Sequence, residues 1–442
     1  MNGTALIKAL QSTTDGAALV PYDLSPILYE ELLDLSPLAA LLSVEQAGGI
    51  THEFTKRTSH PRGWFEGEAT PANAKNSVYA RDFVSLKIQR LWGSVTGFAQ
   101  AVDERFINAL ATELTGSVEG MANTLEFGMI WGCGSVSKAG SANFTGDPYQ
   151  YHGAFASVMA NAPDNVVDAG GNKIELIDLD AAIAKVNRFR GVGRDPKLWM
   201  MGLQMKQVVD GLQTKVSMPL TSSVLADGRY EMANYGGIPI YESDYVVPET
   251  STTSPAAVAV VGGNATGAMA AATYKYQISS VTLYGEQVGG TVSADVVIDA
   301  NVNTCANITW VADAEAVQYL IWKKTAAGAY LLYDIIPALT YDSAGTVNGA
   351  VAAYKDNGLR ATVAVKPLAA GEYNIFLLNT NPARGLSILG KIDDMGRPID
   401  SLMSFVELAR VKDTYDYMLK AYLAAKLVYP NMVSVIRHAK LS

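Results

Sequence analysis

Residues 49–131 constrain the fold more than any other stretch, because a long polar excursion leads there straight into a long amphipathic helix. The excursion opens with GITHEFTKRTS (49–59). It crosses a tip rich in charge, proline and glycine, RGWFEGEATPANAKNS (62–77), and returns through YARDFVSLKIQRLWGSVTGF (79–98). Ile50, His52 and Phe54 alternate with Thr51, Glu53 and Thr55, and on the return Val84, Leu86 and Ile88 alternate with Ser85, Lys87 and Gln89. Period two on both arms predicts a two-stranded antiparallel ribbon. A lone ribbon is at best marginally stable in water, so a chain that carries one lays it across something. A neighbouring copy of the same chain is the partner this implies. Arg57, Arg62, Glu66, Glu68 and Lys75, on the arms and tip, are then the candidate intersubunit contacts, forming ion pairs across the interface.

The helix follows at once. Asp103 has the side chain of an N-cap, and Glu104 puts a carboxylate in the first turn, where the macrodipole favours it. Phe106, Leu110, Leu114, Val118, Met121 and Leu125 recur at steps of three or four, which draws one apolar stripe along one face. Gly128, Gly132 and Gly134 are the expected stop signals.

At 442 residues the chain is long for one core and suggests two or three domains. A formal charge of −9 excludes a dedicated nucleic-acid binder, which would show a basic patch or a high pI. No apolar run approaches the roughly 18 residues of a membrane span, and the first residues lack a basic then apolar secretory pattern. Cys133 and Cys305 are too few and too far apart for a disulfide framework, which fits synthesis in a reducing cytoplasm.

Along the chain, residues 1–48 read as an arm and a helix punctuated by Pro21, Pro26 and Pro37, 49–98 as the ribbon, and 99–171 as the helix followed by a loop-rich piece. Residues 172–248 have α/β texture, with a helix over 177–189 capped by Asp178, a buried strand KLWMM (197–201) and a further helical piece over 205–212. Texture changes at Glu249. Short alternating strands at 273–282, 293–299, 306–312, 317–324 and 329–336, at spacings of roughly ten residues, predict a small β-sandwich over 249–366. Trp310 and Tyr319 are its expected core aromatics; Tyr330 and Tyr333 are its expected exposed ones. The α/β texture resumes over 367–400. Residues 401–442 are ambiguous, since Tyr415, Tyr417, Leu419, Ala421 and Leu423 suit a strand face whereas Tyr415, Met418, Leu419, Tyr422 and Leu423 suit a helix. The whole reads as one α+β domain interrupted by an all-β insert.

This order resembles the major capsid proteins of tailed bacteriophages, with the Hong Kong 97-like fold. The resemblance lies in ALVPYDLSPIL of the arm, in GGIPIYESDYVVP joined across the insert to GEYNIFLLNTNPARGLSIL, and in RVKDTYDYMLKAYLAAKLVYPNMVSVI near the end. It covers about three quarters of the chain and is one of layout rather than of a diagnostic motif. The family has an N-terminal arm, an extended loop, a spine helix, and peripheral and axial domains, and the insert resembles immunoglobulin-like or fibronectin-III-like modules. The resemblance implies self-assembly into an icosahedral shell of hexamers and pentamers around packaged double-stranded DNA, held by non-specific contact. It also implies a separate scaffolding protein, a portal, location in the virion and an insert displayed outward. An encapsulin-like compartment shares the fold and is the alternative; a carbohydrate-active enzyme with a sandwich module is the third reading.

Chemical motifs are sparse. His52–Glu53 lacks the second histidine of a zinc protease. His60, His152 and His438 have no acidic or cysteine cluster beside them in sequence, and Glu66 with Glu68 has no sign of a cleft. Asp413 and Asp416 read as solvated turn residues, and Arg188, Arg190 and Arg194 as a solvated basic cluster. No phosphate-loop, dinucleotide or nucleophile-elbow motif stands in strand–turn–helix context. The sequence therefore predicts no catalytic residue, cofactor or metal, and a structural protein rather than an enzyme.

Overall fold

A computed structural model describes residues 37–61, 65, 76–97, 109–134, 144–188, 192–216, 221–224, 231–247, 255, 258–263, 267–299, 303–325, 328–341, 347–391, 403–408 and 413–442. Asp103, Phe106, Arg190, Arg62, Glu66, Glu68 and Lys75 lie outside these.

A seven-stranded sheet organises the centre, in the order Val166–Asp168, Ser434–Lys440, Glu372–Asn379, Lys197–Met201, Ile238–Glu242, Glu231–Tyr235 and Thr221–Val224. The strands Lys197–Met201 and Glu372–Asn379 are buried at every position, as expected of strands covered on both faces. Trp199, Met201, Ile375 and Leu377 face the helices Leu176–Asn187 and Leu203–Lys215, while Leu198, Met200, Phe376 and Leu378 enter the main core on the other side. The helix over 176–187 is not capped by Asp178, as its sequence suggests. Glu175 occupies the N-cap, and Asp178, three residues on, reaches back to the Glu175 amide in a reciprocal capping box.

A second, five-stranded sheet forms the flank. Its axis is the long strand Thr414–Leu427, which pairs antiparallel with Lys87–Thr96, Leu386–Lys391 and Met403–Glu407; Val44–Ala47 joins in parallel with Leu386–Lys391. The ambiguous C-terminal segment is therefore a strand, and Asp416 lies within it rather than in a turn. Tyr417, Leu419, Ala421 and Leu423 are buried against the helix Ala109–Trp131 because period two puts all four on one face. That helix buries Leu114, Val118, Met121 and Leu125, the stripe seen in the sequence. It runs through Gly128 and stops at Trp131. Gly128 serves close packing, since a Cβ there would lie 2.5 Å from the Tyr151 hydroxyl.

Gly93 plays the same part in the sheet. A side chain at Gly93 would overlap the ring of Tyr417, which lies across the bare backbone and sends its hydroxyl 2.7 Å from Ser117 Oγ on the helix. Gly93→Val should lower stability by about 1–3 kcal/mol, the usual range for overpacking. Denaturant unfolding of the unassembled subunit reads this directly, and an unchanged midpoint would refute it.

The strands between Ala259 and Asp356 form sheets of their own, none pairing with a strand outside that range among the described residues. Ala259–Gly263, Cys305–Thr309 and Ala353–Asp356 make a three-stranded sheet. It faces a larger one built from Gly285–Glu286, Ala272–Thr282, Gln318–Thr325, Leu331–Pro337 and Val296–Ile298. Tyr276, Ile278, Ile308, Trp310, Tyr319 and Ile321 fill the space between them, with Trp310 and Tyr319 packed edge to face at 5.3 Å. The larger sheet also buries its opposite face. Val281, Leu320, Trp322, Leu332 and Ile335 join the same core as Trp131, Phe155 and Phe376. It is thus the middle of three layers. Tyr333, expected at the surface, is buried, because its strand is covered on both sides.

Candidate assembly interface

The excursion is a two-stranded ribbon, Thr51–Ser59 against Val78–Ser85, antiparallel and in register from Thr51 opposite Ser85. The return arm is not one strand. It breaks at Leu86, whose amide still bonds the Ile50 carbonyl at 2.8 Å, and restarts as Lys87–Thr96 in the flank sheet. The break shifts which face is buried: Gln89, Leu91, Gly93 and Val95 turn inward, so Ile88, expected to continue the Val84 stripe, points outward.

One face of the ribbon base is tethered to its own chain. Lys56 pairs with Asp82 at 2.5 Å, and the Lys426 ammonium lies 5.5 Å from the Phe54 ring centroid while it pairs with Glu45 at 2.6 Å. The Tyr429 hydroxyl accepts the Arg57 amide at 3.0 Å and donates to the Arg57 carbonyl at 3.2 Å. The opposite face stays open, with Tyr79 and Phe83 exposed. Arg57 is held within the ribbon: its guanidinium stands over the Tyr79 ring at 5.3 Å, donates to the Tyr79 hydroxyl at 3.1 Å and approaches His60 Nδ1 at 3.2 Å. Hydrogen bonds from Ser77 and Arg57 and the adjacent positive charge hold the Tyr79 phenol below its ordinary pKa. Of the candidate contacts, only Arg57 lies among the described residues.

Where the middle sheet meets the central one, the structure holds a constellation that no local motif announces. Arg437 donates through both terminal nitrogens to Glu286, at 2.7 and 2.8 Å, and both side chains are 0% exposed. Arg437 also donates to the Lys366 carbonyl at 2.9 Å, and its guanidinium stands 5.5 and 5.7 Å from the ring centroids of Phe155 and Trp322. Asn374 donates to Glu286 at 3.1 Å. The next residue, His438, has a φ of 59° and places Nδ1 2.6 Å from Glu372, an acid 66 residues away that its own sequence neighbourhood hides. Arg188 is exposed, as expected, and also donates to Asn165 at 3.0 Å.

Asp334 ties the middle sheet to the loop after the long helix. It accepts the Thr145 amide at 2.7 Å, the Thr145 hydroxyl at 2.5 Å, Tyr354 at 2.8 Å and Arg360 at 3.0 Å. Burial pushes its carboxyl above the ordinary aspartate range, against the opposing pull of Arg360 and Thr145. The folded state therefore holds this proton more tightly than the unfolded one. Its contribution to stability is present below the unfolded value of about 3.9 and is lost as pH rises from there through the raised folded value. Asp334→Asn should flatten that part of the stability–pH curve, measured by denaturant midpoints at several pH values; a curve of unchanged slope would refute the assignment.

A further buried polar cluster centres on the long helix. Glu126 of the long helix accepts Tyr241 at 2.7 Å and Ser243 at 3.2 Å; burial and the adjacent Glu126 keep the Tyr241 phenol protonated as a donor. Among the described residues no group of three or more His, Cys, Asp or Glu side chains is placed to hold a metal ion, and no helix is long and apolar enough to cross a membrane. What the arrangement offers chemically is contact surface: an open ribbon face on a rigid, three-layered body.

Among solved structures, the SrpI encapsulin complex of Synechococcus elongatus is 11% identical, with 99% of this chain and 96% of that one covered at a TM-score of 0.48. A chain from a structure of Mycobacterium phage Bobi is 11% identical, covering 91% and 89%, at 0.43. The capsid of an empty GTA particle is 9% identical, covering 92% and 90%, also at 0.43. No curated protein matches the chain. The model of the SU10 major capsid protein family matches residues 10–251, more than half of the 442. The chain is a member of the SU10 major capsid protein family, a structural subunit of a capsid shell.

Proposed function

We propose that the shell built by this subunit has the Hong Kong 97-like arrangement, with the ribbon of each copy laid on a neighbour. The observation that carries this reading is the ribbon itself: two strands leave the flank sheet, and Tyr79 and Phe83 stay exposed on one side. Buried strand positions are the norm for residues of this kind, so an apolar row left open implies a surface that something covers. Arg57 and, by their places in the sequence, Arg62, Glu66, Glu68 and Lys75 supply the polar rim of that contact. Residues 249–366 stand as an inserted immunoglobulin-like or fibronectin-III-like sandwich, its three-stranded sheet turned to the outside of the shell. Each contact can be weak, because every subunit repeats it in a closed, symmetric assembly. The interior meets double-stranded DNA without reading sequence, as suits a chain of charge −9. A separate scaffolding protein and a portal complete the particle.

Electron microscopy of the purified chain, alone and with a candidate scaffold, tests the reading. Closed uniform shells are expected, and nuclease-resistant DNA in the native particle separates a phage head from an encapsulin-like compartment. A subunit that stays monomeric under every condition would overturn it.

A further inference from the structure

Between the two sheets of the sandwich an ion pair lies where apolar packing is the rule. Lys323, on the strand Gln318–Thr325 of the larger sheet, places its ammonium 2.7 Å from Asp356 Oδ2. Asp356 ends the strand Ala353–Asp356 of the smaller sheet. Its side chain is fully buried, and that of Lys323 is 11% exposed. The Lys323 nitrogen also stands 4.5 Å from the centroid of the Tyr274 ring and 4.6 Å from that of Tyr333. Each carboxylate oxygen has donors of its own. Oδ2 accepts the Tyr276 hydroxyl at 2.6 Å, while Oδ1 accepts the Tyr333 hydroxyl at 2.5 Å and the Gly358 amide at 2.7 Å. Gly358 has a φ of 72°, and a Cβ there would lie 2.6 Å from the Met269 nitrogen, so glycine is needed to turn this amide onto Oδ1. Burial and the adjacent Asp356 keep the Tyr276 and Tyr333 phenols protonated as donors.

We propose that Lys323 and Asp356 condense within the folded subunit into an amide between Nζ and Cγ, a covalent strap across the two sheets of the sandwich. The fold holds amine, carboxyl group and donors for the developing charge together, an arrangement that the same groups lack in solution. One ammonium proton passes to Oδ2, and the freed nitrogen lone pair bonds to Cγ. The carbonyl electron pair moves onto Oδ1, where the Tyr333 hydroxyl and the Gly358 amide meet its charge. When that pair returns, the Cγ–Oδ2 bond breaks. Oδ2 leaves as water with a second lysine proton, relayed through the Tyr276 hydroxyl, and the third proton stays on the amide nitrogen. Ammonium and carboxylate thus give amide and water, with no other reactant. Burying two charges carries a desolvation cost that their attraction often fails to offset, and the neutral amide removes it. Cys133 and Cys305 are both free, so no disulfide duplicates the strap.

The intact mass of the full chain, read after complete unfolding, tests the bond. The wild type should weigh one water less than its sequence, and a proteolytic digest should yield a branched peptide that joins Lys323 to Asp356. Lys323→Arg keeps the charge but removes the amine, and should restore the full mass. Lys275→Arg alters the exposed pair with Asp295 on the same sheet and should leave the deficit in place. Tyr333→Phe deletes one donor to Oδ1 and should slow linking by about 100-fold, measured as the linked fraction at intervals after synthesis. A wild-type chain of full mass, with Lys323 and Asp356 in separate peptides, would overturn the proposal. So would a water lost equally from Lys323→Arg, and linking at the wild-type rate in Tyr333→Phe would overturn the part given to that hydroxyl. Mass is read on the unassembled subunit as readily as on the particle, so the outcome does not depend on shell assembly.

Discussion

Arg437→Ala lowers the unfolding free energy of the subunit by about 3–5 kcal/mol, the loss expected when one partner of a buried ion pair is removed. Glu286 would be left 0% exposed with only Asn374 as a donor, so its charge would be desolvated and unbalanced. The guanidinium also fills the space against Phe155 and Trp322, and alanine leaves that space empty. The informative companion is the double variant Arg437→Met, Glu286→Leu. Replacing both ions by apolar groups of similar volume removes the desolvation term, and such swaps are often neutral or stabilising. The double variant should therefore recover most of the loss, read by denaturant unfolding of the unassembled subunit. A single variant within about 1 kcal/mol of wild type would show that the pair is not what locks the layers together.

Trp131→Ala should be comparably severe, with an expected loss of about 3–5 kcal/mol. Trp131 is the last residue of the long helix and fully buried, tilted against Phe155 at 4.8 Å and edge-on to Phe376 at 5.8 Å. Its indole nitrogen donates to the Tyr245 carbonyl at 2.7 Å, so alanine both opens a cavity and orphans an acceptor. Phenylalanine retains much of the volume but not the donor, and should fall between alanine and wild type. Because Trp131 and Arg437 both lean on Phe155, their losses should not add. An unchanged unfolding midpoint for Trp131→Ala would refute its place at the centre of the shared core.

What the amino-acid pattern revealed follows from how local each signal is. The helix stripe from Leu110 to Leu125 and the alternation on the ribbon arms as far as Val84 are properties of a few consecutive turns or residues, and both emerged in place. Strands expected between 273 and 336 likewise form, and Trp310 and Tyr319 pack together. The segment around Tyr417 defeated periodicity because it is apolar at both spacings; its partner strands, Lys87–Thr96 and Met403–Glu407, decided the matter. The break at Leu86 carries no proline or glycine to mark it. The Glu286–Arg437 clamp joins residues 151 apart, and Asp334 meets Thr145 across 189 positions, so nothing in either neighbourhood points to the other. Glutamate is an uncommon cap, so the pattern points to Asp178 rather than Glu175, and Asp178 is the other half of the same capping box. Of the candidate interface, Arg57 appears as a residue stacked on Tyr79, an arrangement that only the cross-strand register at that point creates.

The order of strands in the two host sheets has a consequence for synthesis. Val44–Ala47 pairs with Leu386–Lys391, and Val166–Asp168 pairs with Ser434–Lys440, the strand that also carries Arg437. Neither sheet can be completed until segments several hundred residues downstream have left the ribosome. Long-range pairings of this kind form slowly and leave sheet edges open in the meantime. A nascent subunit thus waits with an unfinished body, and translation itself delays the moment at which it can join a growing shell.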